Sequence, residues 1–173
     1  MNRRIAITGP ESTGKSDLAE ALGLSIPGSL VVPEAARSYL ESKPAGYRYT
    51  LDDVLTIATR QHEMLRAAAA HPGIALCDSD YIVLYIWIRE VFGVSDTPVT
   101  AWMREEQFDL TLLCAPDIPW EADPIRENPH DRDRLFELYK AELENLNRPY
   151  QVVNGLGELR VRGALTYLQR ITG

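Results

Sequence analysis

The chain has 173 residues, 45% apolar and 25% charged, with 25 acidic against 18 basic side chains and a net charge of −7. One domain of this length buries a substantial core. The acidic balance argues against a general nucleic-acid binder, and no apolar run is long enough for a spanning helix or a secretory signal. These features predict a cytoplasmic protein with neither nucleic-acid nor membrane partners. Cys77 and Cys114 lie inside apolar runs and read as small buried residues. His62, His71 and His130 lack metal-ligand spacing.

In chain order, Ile5–Thr8 is an apolar run without alternation, as expected of a strand covered on both faces. A glycine-rich turn and a helical pattern through Leu18, Ala19, Ala21 and Leu22 follow it. Leu30–Val32 is the second strand. Thr50 and Asp53 resemble a capping box, and Leu51, Val54, Leu55, Ala58 and Leu65 share one helical face after it. Ile74–Cys77 is the third strand. The stretch 81–88 is β-branched and aromatic, which favours a strand locally, yet Asp78, Ser79 and Asp80 before it could cap a helix. A parallel sheet needs a crossover there, so a buried helix is expected, with Tyr81 and Trp87 in the core. Leu110–Cys114 is the fourth strand. A polar, proline-rich loop spans Pro116 to Pro129, and long loops in compact domains often serve as lids. Asn128 and Pro129 look like an N-cap and first position of the next helix. Tyr150–Val153 is the fifth strand, and Leu159, Ala164, Leu165, Leu168 and Ile171 mark the last helix. This alternation predicts one α/β domain over residues 1–173. Its sheet should be five-stranded, mostly parallel and flanked by helices, with a lid loop at about 116–132.

The sharpest signal is Gly9-Pro10-Glu11-Ser12-Thr13-Gly14-Lys15-Ser16, which fits G-x-x-x-x-G-K-[ST] at every fixed position. Glycines let such a loop curl until its backbone N–H groups face phosphate oxygens. The following helix adds its positive end. Lys15 should reach the β- and γ-phosphates, and the Ser16 hydroxyl should coordinate Mg2+. Gly9, Glu11, Ser12, Thr13, Gly14, Lys15, Ser16 and Asp17 are therefore the expected nucleotide-binding residues. Asp17 suits the helix dipole but not a neighbouring phosphate, so its carboxylate is expected to turn outward.

Ligands of open α/β sheets bind at the carboxyl ends of the strands. Glu34 ends the second strand, and Asp78 and Asp80 end the third. An acid there serves either Mg2+ or the attacking nucleophile, although Asp78 or Asp80 could also simply cap a helix. All three are candidates for the base. If the third strand lies beside the first, Asp78 belongs on the metal side with Ser16 and Glu34 faces the acceptor hydroxyl. Arg126 and Arg132 flank the end of the long loop and could stabilise charge on a transferring phosphoryl group, whereas Arg134 reads as a weaker candidate. Trp120, in the same loop, is a candidate for substrate contact, as are Glu34 and Asp80.

The segments Gly9–Ser16, Pro33-Glu34-Ala35-Ala36-Arg37, Cys77-Asp78-Ser79-Asp80, Pro116-Asp117-Ile118-Pro119-Trp120 and Arg126-Glu127-Asn128-Pro129-His130-Asp131-Arg132 resemble the nicotinamide riboside kinase domain of the NadR family. The resemblance runs from about Ile5 to the final helix. It implies a P-loop kinase fold, with ATP and Mg2+ bound through Gly14, Lys15, Ser16 and Asp78, and Arg126 and Arg132 in the lid. The implied reaction is phosphorylation of the 5′-hydroxyl of nicotinamide riboside to nicotinamide mononucleotide. The DNA-binding segment and adenylyltransferase domain of full-length members are not expected here, because the kinase pattern fills the chain. Two alternatives stand beside it. One is a kinase for another nucleoside-like acceptor. The other is a P-loop ATPase or nucleotide switch without an acceptor, although Asn128-Pro129-His130-Asp131 lacks the lysine of a guanine-binding motif.

Overall fold

Continuous apolar runs become strands, buried on both faces at the centre of the sheet and partly exposed at its two edges. A computed structural model describes residues 2–120 and 131–172. Its strands are β1 (Arg3–Thr8), β2 (Leu30–Val32), β3 (Ile74–Asp78), β4 (Leu110–Cys114) and β5 (Tyr150–Val153). They form one sheet in the order β2-β3-β1-β4-β5, and every pairing is parallel. The helices among the described residues are α1 (Lys15–Ser25), α2 (Ala35–Glu41), α3 (Leu51–Ala68), α4 (Tyr81–Phe92), α5 (Pro98–Glu105), α6 (Arg132–Asn145) and α7 (Gly157–Thr172). This is the expected α/β architecture, a parallel sheet flanked by helices.

Successive strand residues point to opposite faces, and two cores result. Ile5, Ile7, Leu76 and Leu112 pack with Leu18 and Leu22 of α1 and Ala164 and Leu168 of α7. Ala6, Ala75, Cys77 and Leu113 pack against the face covered by α2 to α6. Both cysteines are free and fully buried, and burial pushes the Cys77 thiol up to about 12. No helix among the described residues is long and apolar enough to cross a membrane.

The caps decide the ambiguous stretch. Asp80 accepts from the N–H groups of Ile82 and Val83 and starts α4, and Gly93 ends it in a left-handed conformation with φ of 67°. The capping box of α3 forms as expected from Thr50 and Asp53. Two short helices were not foreseen. α2 follows Glu34 directly, and α5 opens with Thr97-Pro98, a start signal in its own right. α6 runs from Arg132, with Asp131 at its N-cap. Asn128 and Pro129 lie outside the described residues. Leu159, expected on the buried stripe of α7, is 66% exposed, and its neighbour Arg160 is buried in its place.

Candidate active site

The phosphate loop leaves β1 at Gly9 and enters α1 at Gly14. Gly9 has φ of 137°, and a Cβ there would lie 2.8 Å from the Cys114 carbonyl oxygen, so no larger residue fits. Gly14 is left-handed, with φ of 69°, and forms the N-cap of α1. The Thr13 hydroxyl donates to the Pro10 carbonyl at 2.7 Å and closes the loop on itself. Lys15 Nζ donates to the Gly9 and Pro10 carbonyls at 3.0 and 2.8 Å. Asp17 is exposed and also lines the cavity.

β3 pairs directly with β1 in parallel register. That pairing sets Asp78 beside the loop, where its Oδ2 accepts from the Ser16 hydroxyl at 2.6 Å. Asp78 is 4% exposed, and burial pushes its carboxyl up to about 6, against the pull of the Ser16 hydrogen bond and the Lys15 charge. Its Oδ1 is buried without a hydrogen-bond partner. A hydroxyl and an unsatisfied carboxylate make an all-oxygen donor pair. That pair suits Mg2+, which takes one or two protein oxygens and fills its octahedron with water and phosphate. The residues present fit the ion.

One cavity of about 620 Å³ is lined by the phosphate loop, by Asp78 and Glu34, and by a group of aromatic side chains. Gly9, Glu11, Ser12, Thr13, Gly14, Lys15, Ser16, Asp17, Glu34 and Asp78 all line it, so the geometry brings together nearly all the nucleotide-side candidates. Tyr49, Trp87 and Tyr139 are the aromatic residues of its lining. Trp87, expected in the core, instead forms a wall. Its Nε1 donates to the Tyr49 hydroxyl at 3.1 Å, and the two rings meet edge to face with centroids 5.2 Å apart. Tyr81 is fully buried, as read from the sequence.

Three candidates stand elsewhere. Asp80, expected to touch substrate, is fully buried beneath the site and does not line the cavity. Its Oδ1 accepts from the Thr8 hydroxyl at 2.9 Å as well as capping α4, and Arg148 Nη1 lies 3.6 Å from its Oδ2. The competing capping role claims this carboxylate. Arg132 Nη1 donates to the carbonyls of Ser12 and Ile118 at 2.9 and 3.0 Å, so it grips the phosphate loop from behind. Trp120 is half-buried, with the Arg132 guanidinium 5.8 Å from its ring centre. Arg126 and most of the proposed lid lie outside the described residues. Arg134 pairs with Glu90 and Asp131 at the surface.

Sequence reasoning missed Gln61. It is 2% exposed, its Oε1 accepts from the Ala35 N–H at 2.8 Å, and its Nε2 reaches the Pro33 and Ser79 carbonyls at 3.5 Å. It thereby ties the ends of β2 and β3, where Glu34 and Asp78 stand. The signal was a polar residue on the apolar face of α3, three positions after Ala58 and four before Leu65. Tyr49 gave no such signal, because it precedes α3 in an irregular segment.

A cavity that joins a phosphate loop to strand-end carboxylates defines a nucleotide-binding domain of the phosphate-loop class. The family described as AAA domain matches residues 4–160, and the chain belongs to that family. It is 30% identical over 150 residues to the trifunctional NAD biosynthesis/regulator protein NadR of Escherichia coli (strain K12), an alignment that covers 84% of this chain and 36% of NadR. The chain thus spans about a third of the length of that relative. A crystal structure of NadR protein in complex with NR shares the fold with a TM-score of 0.80 at 21% identity, over 99% of this chain and 51% of the other. Deoxyadenosine kinase from M. mycoides shares it with a TM-score of 0.61 at 15% identity, over 96% and 99% of the two chains. The similarity to NadR read from the sequence is thus found again, on a P-loop kinase fold.

Proposed function

We propose that this chain is an ATP-dependent kinase that transfers the γ-phosphoryl group of ATP to the 5′-hydroxyl of nicotinamide riboside, giving nicotinamide mononucleotide and ADP. The observation that carries it is a single cavity lined both by the phosphate-binding machinery and by aromatic side chains. The similarity to NadR supports the choice of acceptor.

The loop N–H groups hold the triphosphate, and Lys15 leaves the Gly9 and Pro10 carbonyls to meet the β- and γ-phosphates. Ser16 and Asp78 would hold Mg2+, which would supply charge neutralisation at the phosphate oxygens. Glu34, which lines the same cavity, accepts the hydrogen bond of the attacking hydroxyl. Trp87 and Tyr49 offer ring faces and edges to the pyridine ring, which fixes the ribose with its 5′-carbon toward Glu34. Most of the barrier reduction comes from this positioning and charge neutralisation.

The test is a panel of nicotinamide riboside, adenosine, deoxyadenosine and thymidine, each with Mg-ATP and purified protein. Nicotinamide riboside should give the highest kcat/KM. Preference for another nucleoside would replace the acceptor and keep the kinase. ATP hydrolysis with no phosphorylated acceptor would leave only an ATPase.

A further inference from the structure

Arg160 belongs to α7, far in sequence from the phosphate loop, and is 5% exposed. Its Nη2 donates to the Thr13 carbonyl at 2.8 Å and to the Ala115 carbonyl at 3.0 Å. Its Nη1 donates to the Gly155 carbonyl at 2.9 Å and to Asp117 Oδ1 at 2.8 Å. The other Asp117 oxygen accepts from the Gly155 N–H at 2.6 Å. One guanidinium therefore fastens the phosphate loop, the segment after β4 and the turn between β5 and α7. Burying a cation is costly unless its donors and charge are matched, and here three backbone carbonyls and one carboxylate take up both terminal nitrogens, while Nε is buried without a partner.

We propose that Arg160 is a positioning residue for the triphosphate, acting through the peptide group between Thr13 and Gly14. In a planar trans peptide the carbonyl and the N–H point in opposite directions. Holding the Thr13 carbonyl outward keeps the Gly14 N–H turned toward the cavity, which both residues line. A charged donor on that carbonyl also polarises the peptide and makes its N–H a stronger donor to phosphate. Arg132 treats the preceding peptide in the same way, through the Ser12 carbonyl. The two guanidiniums thus act on consecutive peptides at the start of α1, where the helix dipole already favours an anion. Neither guanidinium needs to touch the nucleotide to strengthen its binding.

The inference rests on the reading of this cavity as an ATP site. Its test is calorimetric titration of Mg-ATP into wild type, Arg160→Gln and Arg160→Lys, with KM for ATP and for nicotinamide riboside measured beside it. Arg160→Gln should weaken ATP by roughly tenfold, the scale of a lost charge-assisted hydrogen bond, with the acceptor KM unchanged. Arg160→Lys, which keeps the charge and loses the fork, should recover part of the affinity. A purely structural role would lower Tm and leave the ratio of the two KM values as in wild type. Folded Arg160→Gln with wild-type ATP affinity overturns the proposal. Should that variant not fold, Asp117→Asn carries the test. Asp117 is 37% exposed and loosens Arg160 when neutralised, so ATP affinity should fall severalfold, and unchanged affinity overturns the proposal equally. Wild-type protein that fails to bind Mg-ATP overturns the nucleotide reading itself, and this inference with it.

Discussion

Lys15 and Asp78 face the same opening with opposite charges and opposite relations to stability. Among the described residues Lys15 Nζ donates only to the two loop carbonyls, so Lys15→Ala should leave Tm almost unchanged. Turnover should fall by roughly a hundredfold to a thousandfold, the loss typical of one electrostatic contact to the transition state. Steady-state kinetics beside a melting curve checks both halves. Asp78 is held in the fold at a cost. Burial raises its carboxyl from 3.8 to about 6, so the native state takes up a proton more readily than the unfolded chain. Its contribution to stability is fully present below pH 3.8 and is lost as pH rises through about 6. That displacement corresponds to on the order of 3 kcal/mol. Asp78→Asn should therefore raise the Tm of the ligand-free protein at pH 7.5, with a gain that vanishes toward pH 4. The same variant should lose Mg2+-dependent transfer. A lower Tm for Asp78→Asn at pH 7.5 would show that its carboxylate is not strained in the empty site. Glu34→Gln should slow transfer while leaving the Mg2+ requirement intact, which separates its role from that of Asp78.

At the scale of elements, α4 and the segment before α3 supply Trp87 and Tyr49 to the aromatic lining of the cavity. Asp80 fixes the start of α4 and joins it through Thr8 to the strand that enters the phosphate loop. Removing it strips a cap and leaves Arg148, 6% exposed, short of its charge partner. Asp80→Ala should destabilise by about 3–5 kcal/mol, as expected when one partner of a buried ion pair is lost, and chemical denaturation measures it. Asp53 accepts from the hydroxyls of Tyr39 and Tyr47 at 2.6 and 2.8 Å and from the Thr50 N–H at 2.8 Å, and so pins the segment that carries Tyr49. The Tyr39 hydrogen bond above all holds its carboxyl well below the usual range. Its contribution is present above pH 3.8 and is lost as pH falls toward the lowered value, the reverse of Asp78. Asp53→Asn should lower Tm at neutral pH and raise the KM for the acceptor, and its Tm deficit should close in acid. Trp87→Ala should raise the acceptor KM by roughly tenfold to a hundredfold, by analogy with base–aromatic stacking, with the KM for ATP unchanged.

For the whole molecule, the parallel order β2-β3-β1-β4-β5 is what makes distant residues one site. It lays the ends of β1, β2 and β3 side by side, so Gly9, Glu34 and Asp78 meet at one edge. Much of this was legible in the sequence, because local patterns carried it. The apolar runs gave five strands, and the spacing of Gly9, Gly14, Lys15 and Ser16 admits few other structures. Thr50 and Asp53 marked a helix start that forms. Other features depend on what packs above a residue, which one-dimensional spacing does not encode. Trp87 has core-like neighbours in sequence yet borders the cavity, because α4 is buried on one face only. Asp80 sits two residues from Asp78, and only the turn at Ser79, with φ of 72°, sends the two carboxylates to different places. Arg160 looked like one charge among several on α7 until the loops converging on it were placed. The central claim is transfer of one phosphoryl group to one hydroxyl, and 31P NMR of the protein with Mg-ATP and nicotinamide riboside reads it directly. A 5′-phosphate monoester should appear in step with ADP, at equal amounts, and be absent with Lys15→Ala. ADP and inorganic phosphate without the monoester would contradict it.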